Sequence, residues 1–132
     1  MNISQVSKKY QLSADTLRYY EKIGIIPTVT RDSNGNRMYS EQDLNWVYFA
    51  KIMRKAGVSV NALVEYIALF QTGREQSMAQ RQAILLEEKR KLEEQIDNLN
   101  EALSFLNTKI DDNAEHLAKF EERLDEKNHK TV

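Results

Sequence analysis

"DTLRYYEKIGIIP", residues 15–27, sets an arginine and two adjacent tyrosines into a single turn of a predicted helix. Consecutive helical positions point about 100° apart, so Tyr19 and Tyr20 cannot both enter one small core. One hydroxylated ring is left for another task, beside the fixed positive charge of Arg18. Leu17 and Ile23 supply inward positions, and Gly24 suits the left-handed residue that ends a helix. Ser13 is a natural N-cap for a start near Ala14. Upstream, Ile3, Val6 and Tyr10 recur at helical spacing until "QLS", residues 11–13, interrupts them. Two short helices joined by about three residues form a helix-turn-helix candidate. Short helix pairs are common, so spacing alone does not decide it.

Downstream the texture changes. "TVTRDSNGNRMY", residues 28–39, holds β-branched residues, then Asn34-Gly35, then Met38 and Tyr39. Asn-Gly predicts a two-residue type I′ hairpin turn, in which both central residues take positive φ. Arg31 and Arg37 fall on opposite arms of that hairpin. An arginine-bearing ribbon directly after a helix-turn-helix is the shape of a winged DNA-binding domain. A surface hairpin with solvated arginines is the alternative.

Ser40 predicts the cap of a third helix, with Asp43 completing a capping box. Leu44, Val47, Tyr48 and Ile52 form one apolar stripe on it, and Trp46, Phe49 and Met53 a second, so two sides need cover. Gly57 ends that helix, and Ser59 caps a fourth carrying Val60, Leu63, Val64 and Ile67. "QTGRE", residues 71–75, then leads to a long charged helix. Leu85, Leu92, Ile96, Leu99, Leu103, Leu106 and Ile110 occupy a and d positions of a heptad, with Lys89 interrupting near the start. Over residues 77–110 the helix spans on the order of 50 Å, and its leucines call for a partner chain. At "DDNAEH", residues 111–116, Asn113 takes a d position. Either the coil continues through a polar layer or it breaks and a short helix of Leu117, Phe120 and Leu124 folds back. The break is the expectation, with a frayed tail beyond it.

The 132 residues include no cysteine, which excludes disulfides, thiolate metal sites and thiol redox sensing by this sequence. Residues 1–60 carry nine Lys/Arg and five acids, whereas residues 61–132 carry ten bases and fifteen acids. The net charge of −1 therefore hides a basic half suited to a polyanion. No apolar run reaches the roughly 18 residues of a membrane span, and the first residues do not read as a secretory signal. A cytoplasmic location is expected, with no membrane partner. No Gly-rich phosphate loop or His–carboxylate motif supports an enzyme, and neither metal nor cofactor is expected. His116 and His129 are isolated and read as solvated. A coiled-coil protein whose head binds another protein is the rival to a DNA-binding regulator.

"TLRYYEKIGII", followed by "NRMYSEQDL" and "AGVSVNAL", strongly resembles the MerR family of bacterial transcription regulators, almost continuously over residues 2–70. The resemblance implies a mainly α fold: a winged helix-turn-helix DNA-binding domain with a small β-hairpin wing, followed by a long dimerising coiled-coil helix. It implies a DNA-binding domain over 1–71, a linker at 72–76, a dimerisation helix over 77–110 and a short C-terminal segment over 111–132. It further implies a homodimer joined by an antiparallel coiled coil. Such a dimer binds double-stranded promoter DNA and acts on RNA polymerase by bending and untwisting the operator between the −35 and −10 elements.

Carried over by position, Arg18, Tyr19 and Tyr20 match the recognition-helix motif, and Arg37 and Tyr39 match the wing motif. Ser13 and Thr16 stand at the amino end of the recognition helix, where a hydroxyl reaches phosphate or a base edge. Arg18 can bond phosphate or guanine. Tyr20 is the tyrosine expected on DNA, with Tyr19 open between core and contact. Metal-sensing and electrophile-responsive members use cysteines, which are missing here, and the residues after Ile110 leave no room for a large ligand domain. If an inducer binds, Trp46, Phe49, Met53, Tyr66 and Phe70 are the expected pocket. The alternative is that this stripe packs against the partner's coil or C-terminal segment.

Overall fold

Six helices and one two-stranded hairpin make up the described residues, 1–110 and 114–129 of this computed structural model; side chains are described for all but 114, 116 and 126–129. The order is α1 (Ile3–Tyr10), α2 (Ala14–Ile23), β1 (Thr30–Arg31), β2 (Arg37–Met38), α3 (Glu41–Lys55), α4 (Val60–Thr72), α5 (Met78–Ile110) and α6 (Ala114–His129). The chain forms two compact units that divide after Lys89. No described helix is long and apolar enough to cross a membrane.

Local chemistry sets the helix ends. Asn2 and Gln5 close a capping box on α1, and Gln11 turns left-handed at φ 55° to end it. Ser13 accepts from the Thr16 N–H to start α2, and Gly24 stops it at φ 83°, a conformation that costs other residues about 1–2 kcal/mol. Ser40 with Asp43 boxes the start of α3, and Ser59 accepts from the Ala62 N–H at the start of α4. Each such cap stabilises its helix by about 1 kcal/mol.

The hairpin forms, but not through the expected two-residue turn. Thr30 pairs with Met38 and Arg31 with Arg37, leaving five residues between the paired arms. The reversal is Asp32 to Gly35, closed by the Gly35 N–H on the Asp32 carbonyl at 3.0 Å. Gly35 has positive φ and Asn34 does not, so the type I′ expectation for Asn34-Gly35 is wrong. The Asp32 carboxylate decides the matter: its Oδ1 accepts from the N–H groups of both Asn34 and Asn36 at 2.9 Å. That side chain organises a longer loop than the Asn-Gly pair prefers alone.

In the first unit Leu17 and Tyr20 of α2 meet Val6 of α1, Val47 and Ala50 of α3 and Leu63 of α4. Ile25, Ile26 and Val29 fill the centre as the chain leaves α2. Tyr48 and Ile52, expected inward, are exposed, and Ala50 takes the buried place. The eight-residue α1 covers that side of α3 only as far as Tyr10, whose ring lies 6.4 Å from Tyr48.

This first unit extends well past residue 71. Trp46 packs edge-on against Phe49, Tyr66 and Phe70, the closest pair being Trp46 and Phe70 at 5.0 Å. Arg81, at the beginning of α5, is 5 % exposed. Its guanidinium lies 5.7 Å from the Tyr66 ring centre and 5.3 Å from that of Phe70. Arg81 Nε donates to Ser77 Oγ at 3.0 Å, a second guanidinium nitrogen donates to the Arg74 carbonyl, and Ser77 Oγ donates to the Leu69 carbonyl. The chain from α4 into α5 is therefore bound to the aromatic cluster.

The second unit holds the rest of α5 and α6. The rings of Phe105 and Phe120 are 5.8 Å apart, whereas an unbroken helix would separate these residues by about 22 Å. Lys109 Nζ lies over both rings, at 5.4 and 4.5 Å. In consequence α6 runs back along α5. Residues 111–113, on which the break or polar layer was expected, lie outside the described residues, as do the side chains of His116 and His129. Along α5, Ile96, Leu99, Leu103, Leu106 and Ile110 are exposed in the single chain, and Leu92 is half-buried.

Candidate nucleic-acid interface

The amino end of α2 carries two linked hydroxyls. Ser13 Oγ accepts from the Thr16 N–H at 3.0 Å and donates to Thr16 Oγ1 at 2.8 Å, with Ser13 exposed. One turn further, Arg18 Nη1 bonds the exposed Asp15 carboxylate at 2.9 Å. A pair so open to water is worth about 1 kcal/mol or less, so Arg18 can exchange it for a phosphate.

The two tyrosines divide opposite to expectation. Tyr20 is 8 % exposed and belongs to the core, while Tyr19 is 51 % exposed. Tyr20 shares the inward face with Leu17, three residues before it, and the Ile25 and Ile26 N–H groups close on its carbonyl. Burial raises the Tyr20 pKa, partly offset by the Arg54 charge. Tyr19 is therefore the exposed ring of the pair, and Tyr20, the one expected on DNA, is buried in the core.

The wing residues are also more deeply set than a contact motif suggests. Tyr39 is buried in the core, and its hydroxyl has no hydrogen-bond partner among the described residues. Burial raises its pKa, with Arg37 and Arg18 lowering it and Glu21 and Asp43 raising it. Arg37 Nε donates to Glu21 Oε1 at 2.7 Å, and these side chains are only 16 % and 12 % exposed. The other Glu21 oxygen accepts from the Val29 N–H at 3.3 Å. Arg31, opposite Arg37, is exposed and donates to the Gly35 carbonyl at 2.9 Å.

These elements enclose a groove of about 410 Å³, lined by Asn2 and Ser4 of the α1 start, Arg18 of α2, and Arg31, Arg37 and Met38 of the wing. Three arginines, one each from α2, β1 and β2, line it, with Asp32 also on its wall. An anionic chain is the chemistry this wall suits. The structure thus brings Arg18 and Arg37 together, leaves Ser13, Thr16 and Tyr19 on the adjoining helix, and withdraws Tyr20 and Tyr39 into the core. Sequence reasoning missed Arg31 as a lining residue and Glu21 altogether. The signal for Glu21 was its sign: an acid within a helix otherwise suited to a polyanion asks for an internal partner.

Of the five residues expected to form a pocket, Trp46, Phe49, Tyr66 and Phe70 pack ring against ring. Beside Phe49, Met53 and Tyr66 a crevice of about 10 Å³ remains, closed by Ile84, Leu85 and Glu88 of α5. That is room for about one water. Leu85, expected at the dimer seam, lines this crevice within its own unit.

With this geometry in hand, comparison with known proteins is direct. The profile of MerR HTH family regulatory proteins matches residues 1–69. The HTH-type transcriptional regulator AdhR of Bacillus subtilis (strain 168) is 48 % identical over 92 residues, covering 70 % of this chain and 65 % of AdhR. The chain spans about half the length of further curated relatives it matches, 48 % and 47 % for two regulators from Bacillus subtilis and Haemophilus influenzae. A crystal structure of a MerR family transcriptional regulator from Listeria monocytogenes superposes with TM-score 0.83 at 40 % identity, covering 100 % of this chain and 99 % of that one. HiNmlR, a MerR family regulator lacking the sensor domain and bound to promoter DNA, gives TM-score 0.75 at 27 % identity, covering 83 % and 86 %.

Proposed function

The chain belongs to the MerR family of helix-turn-helix regulatory proteins, and we propose that it binds promoter DNA as a homodimer and controls transcription by distorting the operator between the −35 and −10 elements. The observation that carries this reading is the groove lined by Arg18, Arg31 and Arg37, beside the side of α2 that carries the exposed Ser13 and Tyr19 and the half-buried Thr16. The helix offers hydroxyls and a ring to a major groove, while the arginines take flanking phosphates. HiNmlR, of similar fold, is bound to promoter DNA in its crystal structure.

The exposed a and d residues from Ile96 to Ile110 supply the homodimer, as an antiparallel coiled coil. The dimer works in the cytoplasm and meets RNA polymerase at the same promoter. Its stimulus involves neither thiol nor metal chemistry, in keeping with the absence of cysteine from these 132 residues.

Footprinting on the promoter of its own operon tests the reading, with the spacer between the two promoter elements counted. Expected are a protected duplex lying over an overlong spacer and a binding constant that falls steeply with salt. Arg18→Ala should flatten that salt dependence by about one unit of slope. An unprotected promoter, or binding indifferent to Arg18, would overturn the assignment.

A further inference from the structure

Within the DNA-binding reading, on which this step rests, we infer that Glu21 is a positioning residue that sets the wing against the recognition helix, acting through Arg37 and Val29 rather than by touching DNA. Glu21 stands near the end of α2, two residues after the exposed Tyr19. Its carboxylate reaches both sides of the wing at once. Oε1 takes the Arg37 Nε at 2.7 Å on β2, and Oε2 takes the Val29 N–H at 3.3 Å just before β1.

The surroundings make this bond a rigid one. Both side chains are more than four-fifths buried, so water competes poorly for either charge. A carboxylate has two acceptor edges and a guanidinium a fixed planar fork, so the pair fixes orientation as well as distance. Beneath it lies the buried Tyr39 ring, whose hydroxyl feels both charges. The hairpin has only two paired residues in each arm, and its base is tied to the amino terminus. There the Tyr39 N–H donates to the Met1 carbonyl at 2.7 Å and the Met1 amino group donates to the Tyr39 carbonyl at 3.1 Å. The Glu21 carboxylate adds the tie to α2. Arg31, the exposed arginine opposite Arg37, is therefore aimed by a clamp on the other arm. Arg18 comes from the same helix as Glu21, so the clamp fixes the spacing between Arg18 and Arg31 across the groove.

The sign of the effect separates this role from simple electrostatics. Glu21 is an acid beside a surface for a polyanion, so deleting its charge should by itself tighten DNA binding. Loss of positioning should weaken it. The test titrates the full chain against a duplex carrying its footprinted promoter segment, comparing wild type with Glu21→Gln, Glu21→Asp and Glu21→Ala. Expected are about tenfold weaker binding for Glu21→Ala and Glu21→Asp, the size of one lost contact. The backbone protections that flank the main footprint should fade. The slope of log K on log salt should be shallower by about one for each phosphate released. Glu21→Gln keeps neutral acceptor geometry and should fall between these and wild type.

Unchanged or tighter binding in Glu21→Ala with an intact footprint overturns the inference. So does Glu21→Asp behaving as wild type, because it keeps the charge and shortens only the reach. Weakening matched by an equal loss of folded protein at the assay temperature also overturns it, by reducing Glu21 to a stability role. Failure of the DNA reading is distinguishable, since the wild-type chain would then protect no duplex before any variant is made.

Discussion

Tyr19 and Tyr20 leave neighbouring positions of α2 about 100° apart, one ring half in water and the other closed into the core. Their substitutions should separate binding from stability. Tyr20→Ala removes a buried aromatic ring and should destabilise the fold by about 3–5 kcal/mol. Tyr19→Phe should leave the thermal midpoint unchanged and weaken duplex binding by about 1 kcal/mol, the worth of one hydroxyl bond. Thermal melting and gel retardation on the same samples check both.

Tyr39 gives a prediction with a pH signature. Its hydroxyl is buried without a partner, so Tyr39→Phe should be neutral or slightly stabilising at pH 7. Burial raises its folded pKa above the ordinary 10.0, so ionisation is harder in the folded state. The resulting stability is complete below about pH 10 and is lost as the pH rises through the raised folded value. Tyr20, also raised, acts in the same direction. Chemical denaturation from pH 8 to 11 should show wild type losing stability at the alkaline end, and Tyr39→Phe losing less.

Arg81 ties the beginning of α5 to the Tyr66 and Phe70 rings and to the Ser77 hydroxyl. Arg81→Ala should cost about 2–4 kcal/mol, combining lost cation–π contacts, lost hydrogen bonds and a void. Ser77→Ala should cost about 1 kcal/mol. Urea denaturation checks both, and a change below about 0.5 kcal/mol for Arg81→Ala would contradict the packing role.

The exposed stripe of α5 predicts self-association. Leu99→Lys combined with Leu103→Asp should give monomers in analytical ultracentrifugation at concentrations where wild type is dimeric. Amide exchange of the first unit should stay protected, because neither residue belongs to it. Wild type sedimenting as a monomer would remove the coiled-coil dimer.

Much of this architecture was legible because its determinants are local. Ser13, Ser40 and Ser59 cap helices by bonding an amide three residues on, and Gly24 ends one by a conformation few other residues accept. What escaped depended on distant partners. Tyr20 is the exception: three residues after the inward Leu17 and three before Ile23, it lies on the face they mark, so the helix pattern already placed it in the core with Val47 and Ala50. The Asn34-Gly35 turn was overruled by the Asp32 side chain. Trp46 and Phe70 were open between a pocket and packing against the partner's coil or C-terminal segment, and the neighbour they have, Arg81, comes from another helix of the same unit. Glu21 signalled only through its sign, because its partner Arg37 lies sixteen residues away.

Phe105 and Lys109, which receive Phe120, sit about 100–140° around α5 from the midline of its leucine stripe. The tail and the stripe thus occupy separate flanks of one rod. A substitution that loosens the Phe105–Phe120 contact therefore leaves the leucine stripe in place, and the reverse holds as well.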